Sequence, residues 1–248
     1  MEEMPVLHTK WCGKHWIHLD EVASTNDYLK QGDFADGTAV IADRQTAGKG
    51  RQGKSWSEAP VGQAMYLSVL FHSMKISDMG LLPLLCGLAT ARSLGAAARI
   101  KWPNDVLLGE KKVCGILTEA VTDFESGNIE FAVVGIGLNI FEAADGYPDS
   151  LKGIAGGIYE NREAAGELDR SRLAAEIVNA LLEETRELRL PQEYIEHNLV
   201  PGREICISDG DKIRRAKALE ICPDGRLKVE EADGSLSVLS YGEVSIII

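Results

Sequence analysis

Residues 48–53 read Gly-Lys-Gly-Arg-Gln-Gly, which puts three glycines and two cations into one short loop. Residues 38–42 precede this loop, and their apolar run predicts a buried strand that leads into it. Glycines let a ligand come close to main-chain amides, and the two cations favour an anion, so the loop is suited to phosphate or carboxylate. Taken alone, a solvated turn with incidental charge explains it equally well, because such motifs match often by chance.

Three later segments place polar residues beside apolar strands. They are residues 101–105 (Lys-Trp-Pro-Asn-Asp), 112–117 (Lys-Val-Cys-Gly-Ile-Leu) and 135–139 (Gly-Ile-Gly-Leu-Asn). The proline of the first segment ends a strand, so its Asn-Asp pair is expected just past the strand end, where ligand contacts are common. An ordinary turn after a core tryptophan is the alternative.

Lys112 is expected at the start of a strand, where its ammonium could neutralise charge growing at an α-phosphate. A solvated Lys111-Lys112 pair is the simpler alternative. The glycines of residues 135–139 indicate that something approaches the strand backbone closely. A ligand and a tightly packed helix are equally good candidates for that neighbour.

Composition narrows the functional class. The 248 residues suit one large domain, or one large domain plus a small appendage. A net charge of −12 argues against general binding to DNA or RNA. The longest apolar-rich stretch, residues 81–98, is broken by a proline and polar residues, so no membrane span is expected. The beginning of the chain lacks a signal-peptide pattern, which predicts a cytoplasmic protein.

Hydrophobic periodicity predicts a mixture of strands and helices. The first half of the chain is predicted to contain an edge strand within residues 1–20, a helix from Ser24 or Thr25 to Lys30, strands over 38–42 and 65–71, a helix from Ser77 or Asp78 to Leu94 ended by Gly95, and a strand over 99–102. Strands over 112–121 and 129–140 follow, joined by a hairpin loop over 123–128, and then a loop-like stretch over 142–167, an amphipathic helix over 169–190 and a short helix or linker over 192–200. The chain ends in a predicted small β-barrel of five strands, over 203–208, 214–221, 226–231, 235–239 and 243–248.

Together with Ser24-Thr25-Asn26, the order and spacing of these segments resemble the biotin–protein ligase (biotin–acetyl-CoA-carboxylase ligase) family from about Ser24 to the C-terminus. The resemblance implies an α+β fold: a class II aminoacyl-tRNA-synthetase-like mixed sheet with flanking helices, and a small C-terminal SH3-like β-barrel. It implies a catalytic biotin- and ATP-binding domain over residues 1–200 and the SH3-like domain over 201–248. The implied reaction joins biotin to ATP as biotinyl-5′-AMP, then passes biotin to a lysine of a carrier protein.

The resemblance also implies roles for individual residues. The residues implied in catalysis are Lys112, Arg51 and Asp105. Those implied in biotin binding are Ser24, Thr25, Asn26, Gln45, Gly48, Arg51, Lys112 and Gly115. Those implied in nucleotide binding are Lys49, Arg51, Trp102, Asn104, Lys112 and Asn139. Mg²⁺ is expected with ATP, near Asp105, without a firm set of metal ligands.

The expected partner is a biotin carboxyl carrier protein domain, and a homodimer is expected from exposed sheet edges. Only 23 residues precede Ser24, too few for the helix-turn-helix repressor domain of many relatives. The chain therefore resembles the short class without a DNA-binding domain. Lys49 stands where the family often has arginine, which keeps the charge and loses the bidentate fork.

Two alternatives remain open from the sequence. A lipoate or octanoate ligase shares the implied core architecture and would differ in the acid that it activates. A non-catalytic regulator would bind biotin or a nucleotide without exchanging pyrophosphate into ATP. The charged glycine loop favours the biotin ligase over both.

Overall fold

The computed structural model of this protein describes residues 15–56, 62–72, 74–123, 128–209, 212–240 and 243–246. Two β-sheets and five helices account for most of these residues. The helices are α1 (Thr25–Gln31), α2 (Leu82–Leu94), α3 (Arg162–Ala165), α4 (Arg170–Glu184) and α5 (Gln192–His197). The strands of the large sheet are β1 (Trp16–Leu19), β2 (Ala39–Ala42), β3 (Ala64–His72), β4 (Ala98–Lys101), β5 (Asp105–Leu108), β6 (Lys111–Thr122) and β7 (Ile129–Asn139).

The large sheet is mixed and mostly antiparallel. Its strand order is β1-β2-β3-β7-β6-β5-β4. Only the β1–β2 pair runs parallel among its described pairings. The expected α+β architecture, a mixed sheet with flanking helices, is confirmed at this level, and β1 lies at an edge of the sheet as expected.

Helices cover the two faces of this sheet, which explains why β3 is buried along nearly its whole length. Met65 and Leu67 point into the main core, which also contains side chains of α2 and α4. Leu70 points to the other face and packs in a smaller cluster with Leu29 of α1. Because strand side chains alternate, Ser68 shares this second face, and the candidate site lies there.

The expected start of α2 is wrong. Asp78 accepts a hydrogen bond from the main-chain N of Lys75, so it caps a separate 3₁₀ turn over Ile76–Asp78. The α-helix begins at Leu82 because Pro83 is accommodated only in a first turn. Its end at Leu94 before Gly95 is confirmed.

Three further details differ from the sequence patterns. α4 begins after Asp169 as expected but ends at Glu184, and Leu188 adopts a φ of 44°, which a continuing helix does not allow. Asp105 starts β5 instead of lying beyond a strand, because residues 105–108 form a hairpin with β4. The loop-like stretch 142–167 contains the short helix α3. Residues 1–14 and 124–127, which carry part of the expected edge strand and hairpin loop, lie outside the described residues.

The chain ends in a smaller antiparallel sheet. Its strands are β8 (Glu204–Asp209), β9 (Lys212–Ile221), β10 (Leu227–Glu231), β11 (Leu236–Leu239) and β12 (Glu243–Ile246), in the order β11-β10-β9-β8-β12. Ile205 and Val229 of this sheet belong to the main core. The indole Nε1 of Trp102 donates a 2.8 Å hydrogen bond to the carbonyl of Gly225, which ties the β9–β10 turn to the β4–β5 turn. Among the described residues, none of the helices is both long and apolar enough to span a bilayer.

Candidate active site

A preformed set of hydrogen bonds lies between α1 and the large sheet. Ser24 caps α1 by accepting from the main-chain N of Asp27. Thr25 donates to Oε1 of Gln45 from its main-chain N at 2.8 Å and its hydroxyl at 3.0 Å. The hydroxyl of Ser68 lies 2.7 Å from Thr25 Oγ1 and 2.6 Å from Asn26 Oδ1. Because these polar side chains are buried and mutually bonded, their orientations are fixed before any ligand arrives.

Glycines of two neighbouring strands form the floor beside these polar groups. Gly115 pairs with Gly137 across β6 and β7. A Cβ at Gly115 would lie 2.3 Å from Cζ3 of Trp56, and one at Gly137 would lie 2.6 Å from Cε2 of the same ring. A Cβ at Gly135 would lie 2.3 Å from Oδ1 of Asn26. The close approach that the glycine pattern indicated is thus made by two side chains of the protein itself.

The pocket between the polar set and the glycine floor is small, about 60 Å³. The indole of Trp56 lies over the glycines, and its Nε1 is buried without a hydrogen-bond partner. A volume of this size holds about two water molecules. Trp56 therefore occupies most of the space that the glycines create.

The glycine-rich segment 48–53 folds as a tight hairpin. The main-chain N of Gly50 donates to the carbonyl of Lys54 at 2.6 Å, and that of Trp56 donates to the carbonyl of Gly48 at 3.0 Å. Gln52, between them, adopts a φ of 55°. The hairpin brings the cations of the loop to the rim of the small pocket.

The two cations of the loop point to different partners. Arg51 Nη1 donates to Asn104 Oδ1 at 2.8 Å. Asn104 is in turn fixed to β6, because its Nδ2 donates to the carbonyl of Ile116 and its own carbonyl accepts from the N of Ile116. Lys49 Nζ lies 2.6 Å from Asp27 Oδ2, on α1.

Lys112 and Asp105 form an ion pair in the same part of the site. Lys112 Nζ lies 2.6 Å from Asp105 Oδ1, and Lys101 Nζ lies 3.9 Å from Asp105 Oδ2. Lys112 Nζ is also 5.4 Å from the ring centroid of Trp56. The main chain of Lys112 is bonded to Ile154 and Gly156, so the segment after β7 holds this lysine in place.

A larger cavity of about 570 Å³ adjoins the small pocket. Arg51 and Lys112 line both, so the two cations lie where the spaces adjoin. Asn139 also lines the larger cavity and donates to the carbonyl of Gly156. Burial raises the pKa of Tyr147, on its wall, to about 12, so this phenol is neutral at physiological pH.

A third cavity, of about 510 Å³, lies between the start of α2 and the turn at Gly225. Arg51 and Asn104 line this cavity as well as the other two. The hydrogen-bonded Arg51–Asn104 pair is therefore the point where all three spaces meet.

The other sequence-predicted residues gather around this point. Ser24, Thr25, Asn26, Gln45, Lys49 and Gly115 line the small pocket, and Trp102, Asn104 and Asp105 line the large cavity. Gly48 packs against Gln45 and Trp56 without lining the pocket. Lys49 lines the small pocket and not the large cavity. Trp102 is 1% exposed, and its indole N–H is already hydrogen-bonded within the protein.

Sequence patterns gave no role to three side chains that shape the site. Ser68 is a buried polar residue inside the apolar run of β3, and Glu119 interrupts the apolar run of β6. Glu119 Oε2 accepts from Asn26 Nδ2 at 2.7 Å. Trp56 follows the glycine loop and covers the glycine floor. A polar residue within an otherwise apolar strand was the signal available for the first two.

This fold and this site together define a ligase of the biotin or lipoate class. Residues 19–139 match the model of the Biotin/lipoate A/B protein ligase family. The chain is 30% identical to the bifunctional ligase/repressor BirA of Bacillus spizizenii, over 94% of this chain and 75% of that protein. It is 30% identical to the biotin–[acetyl-CoA-carboxylase] ligase of Mycobacterium tuberculosis, over 94% of this chain and 90% of that protein.

A solved structure resembles most of the chain. It is the biotin protein ligase from Aquifex aeolicus in complex with biotin and ATP, with a TM-score of 0.76 and 27% identity, over 94% of this chain and 99% of that one. The chain belongs to the biotin–protein ligase family. The family and the enzyme class expected from the sequence are confirmed.

Proposed function

We propose that this protein activates biotin with ATP to biotinyl-5′-AMP and pyrophosphate, and then transfers biotin to a lysine of a biotin carboxyl carrier protein. One observation carries the proposal: Arg51 and Lys112 line both the small polar pocket and the large cavity. A carboxylate in the first space and an α-phosphate in the second would repel each other. Two fixed cations at the junction lower that repulsion and orient the groups for attack.

The small pocket suits the ring end of biotin. A ureido group presents N–H donors and a carbonyl acceptor, and Ser24, Thr25, Asn26 and Gln45 surround the pocket with matching polar atoms. Gly115 offers a flat backbone surface for the apolar ring, and Gly48 packs behind Gln45. Since about 60 Å³ is too small for biotin, binding requires Trp56 to move off the glycines.

The large cavity suits the nucleotide. Its volume of about 570 Å³ lies in the range of small-molecule sites, and apolar and aromatic side chains share its walls with polar ones. Arg51, Lys112 and Asn104 would face the phosphate end, and Asn139 the nucleoside. Trp102 would contribute an apolar edge of the cavity.

The proposed reaction has two steps, adenylate formation and transfer of biotin to the acceptor lysine. A biotin carboxylate oxygen attacks the α-phosphorus of ATP, and pyrophosphate leaves. The acceptor amine then attacks the carbonyl carbon of the adenylate, and AMP leaves with the carboxylate oxygen. Asp105 would take the proton of the attacking amine, because its carboxylate lines the large cavity together with Arg51 and Lys112.

Mg²⁺ is a further part of the proposal. Within the described residues, no group of three or more His, Cys, Asp or Glu side chains could hold a metal ion. Mg²⁺ fits nonetheless, because it is commonly bound by one or two carboxylates, water and substrate phosphates. Asp105, which lines the large cavity, would be the protein ligand during adenylate formation. The bound ion would supply neutralising charge to the phosphates.

The third cavity provides a route for the acceptor lysine. Biotin would fill the first space and the nucleotide the second, so an amine needs another path to their junction. The third cavity meets that junction at Arg51 and Asn104 and opens beside the turn at Asp224–Arg226. A carrier segment entering there would meet the adenylate from outside both ligand pockets.

The proposal extends to the architecture. We assign the large sheet to the class II aminoacyl-tRNA-synthetase type and the second sheet to an SH3-like barrel, with a boundary between residues 200 and 201. Expressing residues 1–200 alone tests that boundary. A homodimer and a cytoplasmic location complete the proposal, and size-exclusion chromatography with light scattering tests the first.

Mass spectrometry tests the reaction. The protein is incubated with biotin, MgATP and a biotin carrier domain, and in parallel with lipoate in place of biotin. The expected result is a biotin-sized mass gain on one carrier lysine that needs ATP. A lipoate-sized gain without a biotin-sized one would favour a lipoate ligase, and ligand binding without pyrophosphate exchange would favour a non-catalytic regulator.

A further inference from the structure

Two side-chain contacts hold the glycine-rich segment 48–53 from different sides. Arg51 is bonded to Asn104 at the junction of the cavities, and Lys49 is bonded to Asp27 on α1. The first contact involves a residue placed in the proposed machinery. In the second contact Lys49 lines the small pocket, but Asp27 lies outside the machinery, since it lines neither the small pocket nor the large cavity in the described structure.

Asp27 is itself held firmly. Lys30 Nζ lies 2.8 Å from Asp27 Oδ1 and donates at 2.7 Å to Glu119 Oε1 on β6. Burial acts to raise the pKa of Asp27, but its hydrogen bonds to Lys30 and Lys49 outweigh burial and lower it. The carboxylate is therefore ionised at neutral pH and points one oxygen at each lysine.

We infer that Asp27 is a positioning residue that holds the segment 48–53 against α1 through Lys49 and so slows escape of the adenylate. The inference rests on the proposed function, and it adds that this segment, whose Gly50 and Arg51 line both the small pocket and the large cavity, lies against the bound biotinyl-AMP. It gives Lys49 a role different from the nucleotide contact implied by the family resemblance. The contact on α1 lies next to Asn26, so the loop is held closed beside the polar groups proposed to bind biotin.

The solvent exposure of the Lys49–Asp27 ion pair sets how much its loss should change adenylate release. The side chain of Lys49 is 48% exposed and that of Asp27 is 25% exposed. Ion pairs of this kind add little to global stability, so losing one should leave the fold intact. Loop opening, however, must break this contact directly. Neutralising it should speed adenylate release by about two- to fivefold.

The experiment compares Asp27→Asn, Lys49→Met and the double variant in the full-length protein. Biotinyl-AMP is formed on the enzyme, and its release is followed after a chase with excess unlabelled biotin and ATP. Both single variants should release it about two- to fivefold faster, and the double variant no faster than either single one. Lys49→Arg should retain the wild-type rate. The rate of adenylate formation should stay unchanged in Asp27→Asn, because Asp27 lines neither the small pocket nor the large cavity.

Glu21→Gln is the matched control, because Glu21 pairs with Arg44 at 2.9 Å near the loop without contacting it. Wild-type release by Asp27→Asn, or additive effects in the double variant, would overturn the inference. Hydrogen exchange of the main-chain amides 48–56, measured without added ligand, tests this inference independently of the proposed function. Faster exchange in Asp27→Asn supports the holding contact even if no adenylate forms, and unchanged exchange overturns it.

Discussion

Lys112 Nζ lies 2.6 Å from Asp105 Oδ1, and the two residues belong to neighbouring strands of one sheet. Lys112 lines both the small pocket and the large cavity, whereas Asp105 lines only the large one among the spaces described above. The pair therefore joins a cation proposed to act in adenylate formation to a carboxylate proposed to act in transfer. Separate measurement of the two half-reactions can distinguish these roles.

Lys112→Ala should abolish adenylate formation while leaving the fold intact. The variant loses a fixed charge where the carboxylate and the α-phosphate meet, and loss of such a group costs about 10²- to 10³-fold in rate. Biotin-dependent exchange of pyrophosphate into ATP measures the step. Lys111→Ala is the control, because Lys111 is exposed and lines neither cavity. Near-normal exchange by Lys112→Ala would remove this lysine from the mechanism.

At saturating Mg²⁺, Asp105→Asn should slow transfer far more than adenylate formation, because the asparagine carbonyl still offers the ion one oxygen. An amide keeps the shape and can still face Lys112, but it cannot accept the proton of the attacking amine. Loss of a general base costs about 10²- to 10⁴-fold. Single-turnover transfer from preformed biotinyl-AMP to a carrier domain isolates this step. Equal losses in both half-reactions would mean that Asp105 acts by positioning Lys112 instead.

Arg51→Gly should release biotinyl-AMP before transfer. The substitution removes the hydrogen bond to Asn104 and the charge that faces the proposed α-phosphate. Free biotinyl-AMP in solution, measured by chromatography, should rise relative to the wild type. Arg51→Lys keeps the positive charge but loses the paired N–H donors of the guanidinium. Its release of biotinyl-AMP should therefore lie between those of the wild type and Arg51→Gly. Unchanged retention in Arg51→Gly would contradict this role.

Adenylate retention should be flat between about pH 5 and pH 9. The pKa of Asp27 is lowered from 3.8, so its contribution is present above that value and is lost as pH falls through the lowered pKa. Burial acts to lower the pKa of Lys30, but hydrogen bonds to Asp27 and Glu119 raise it above 10.5. The contribution of Lys30 is therefore lost only as pH rises through that raised value. Release rates across this range in wild type and Asp27→Asn check the prediction, and a wild-type-specific rise near neutrality would contradict it.

The sequence located most of the fold because its strongest patterns coincide with buried elements. The strand 65–71 and the helix beginning beside Ser24 follow from composition and capping alone. The start of α2 was misplaced because Ser77 and Asp78 are typical helix-capping residues, but both lie inside a separate 3₁₀ turn, where Asp78 accepts from the main-chain N of Lys75. The four-residue strand β5 is too short to show the alternation of apolar and polar residues that predicts a strand.

The sequence predicted a set of site residues, but it did not predict the contacts between their side chains. Nothing local in the sequence indicates that Lys49 points at Asp27, 22 positions earlier, because that contact arises when the loop folds over α1. The position of Trp56 on Gly115 and Gly137 likewise depends on how the hairpin sits against β6 and β7. The glycines signalled a close neighbour, and only the tertiary structure identifies it.

Gly115→Ala should weaken biotin binding by about five- to 150-fold, since overpacking costs roughly 1–3 kcal/mol. Its Cβ would lie 2.3 Å from the Trp56 ring and would occupy the surface proposed for the biotin ring. Gly87→Ala is a matched control within buried α2, where the nearest side-chain atoms lie 3.7 Å from the added Cβ. It should leave affinity unchanged and preserve or raise the melting temperature, because alanine favours helix over glycine. Isothermal titration with biotin checks both variants. Wild-type affinity in Gly115→Ala would place the biotin ring elsewhere.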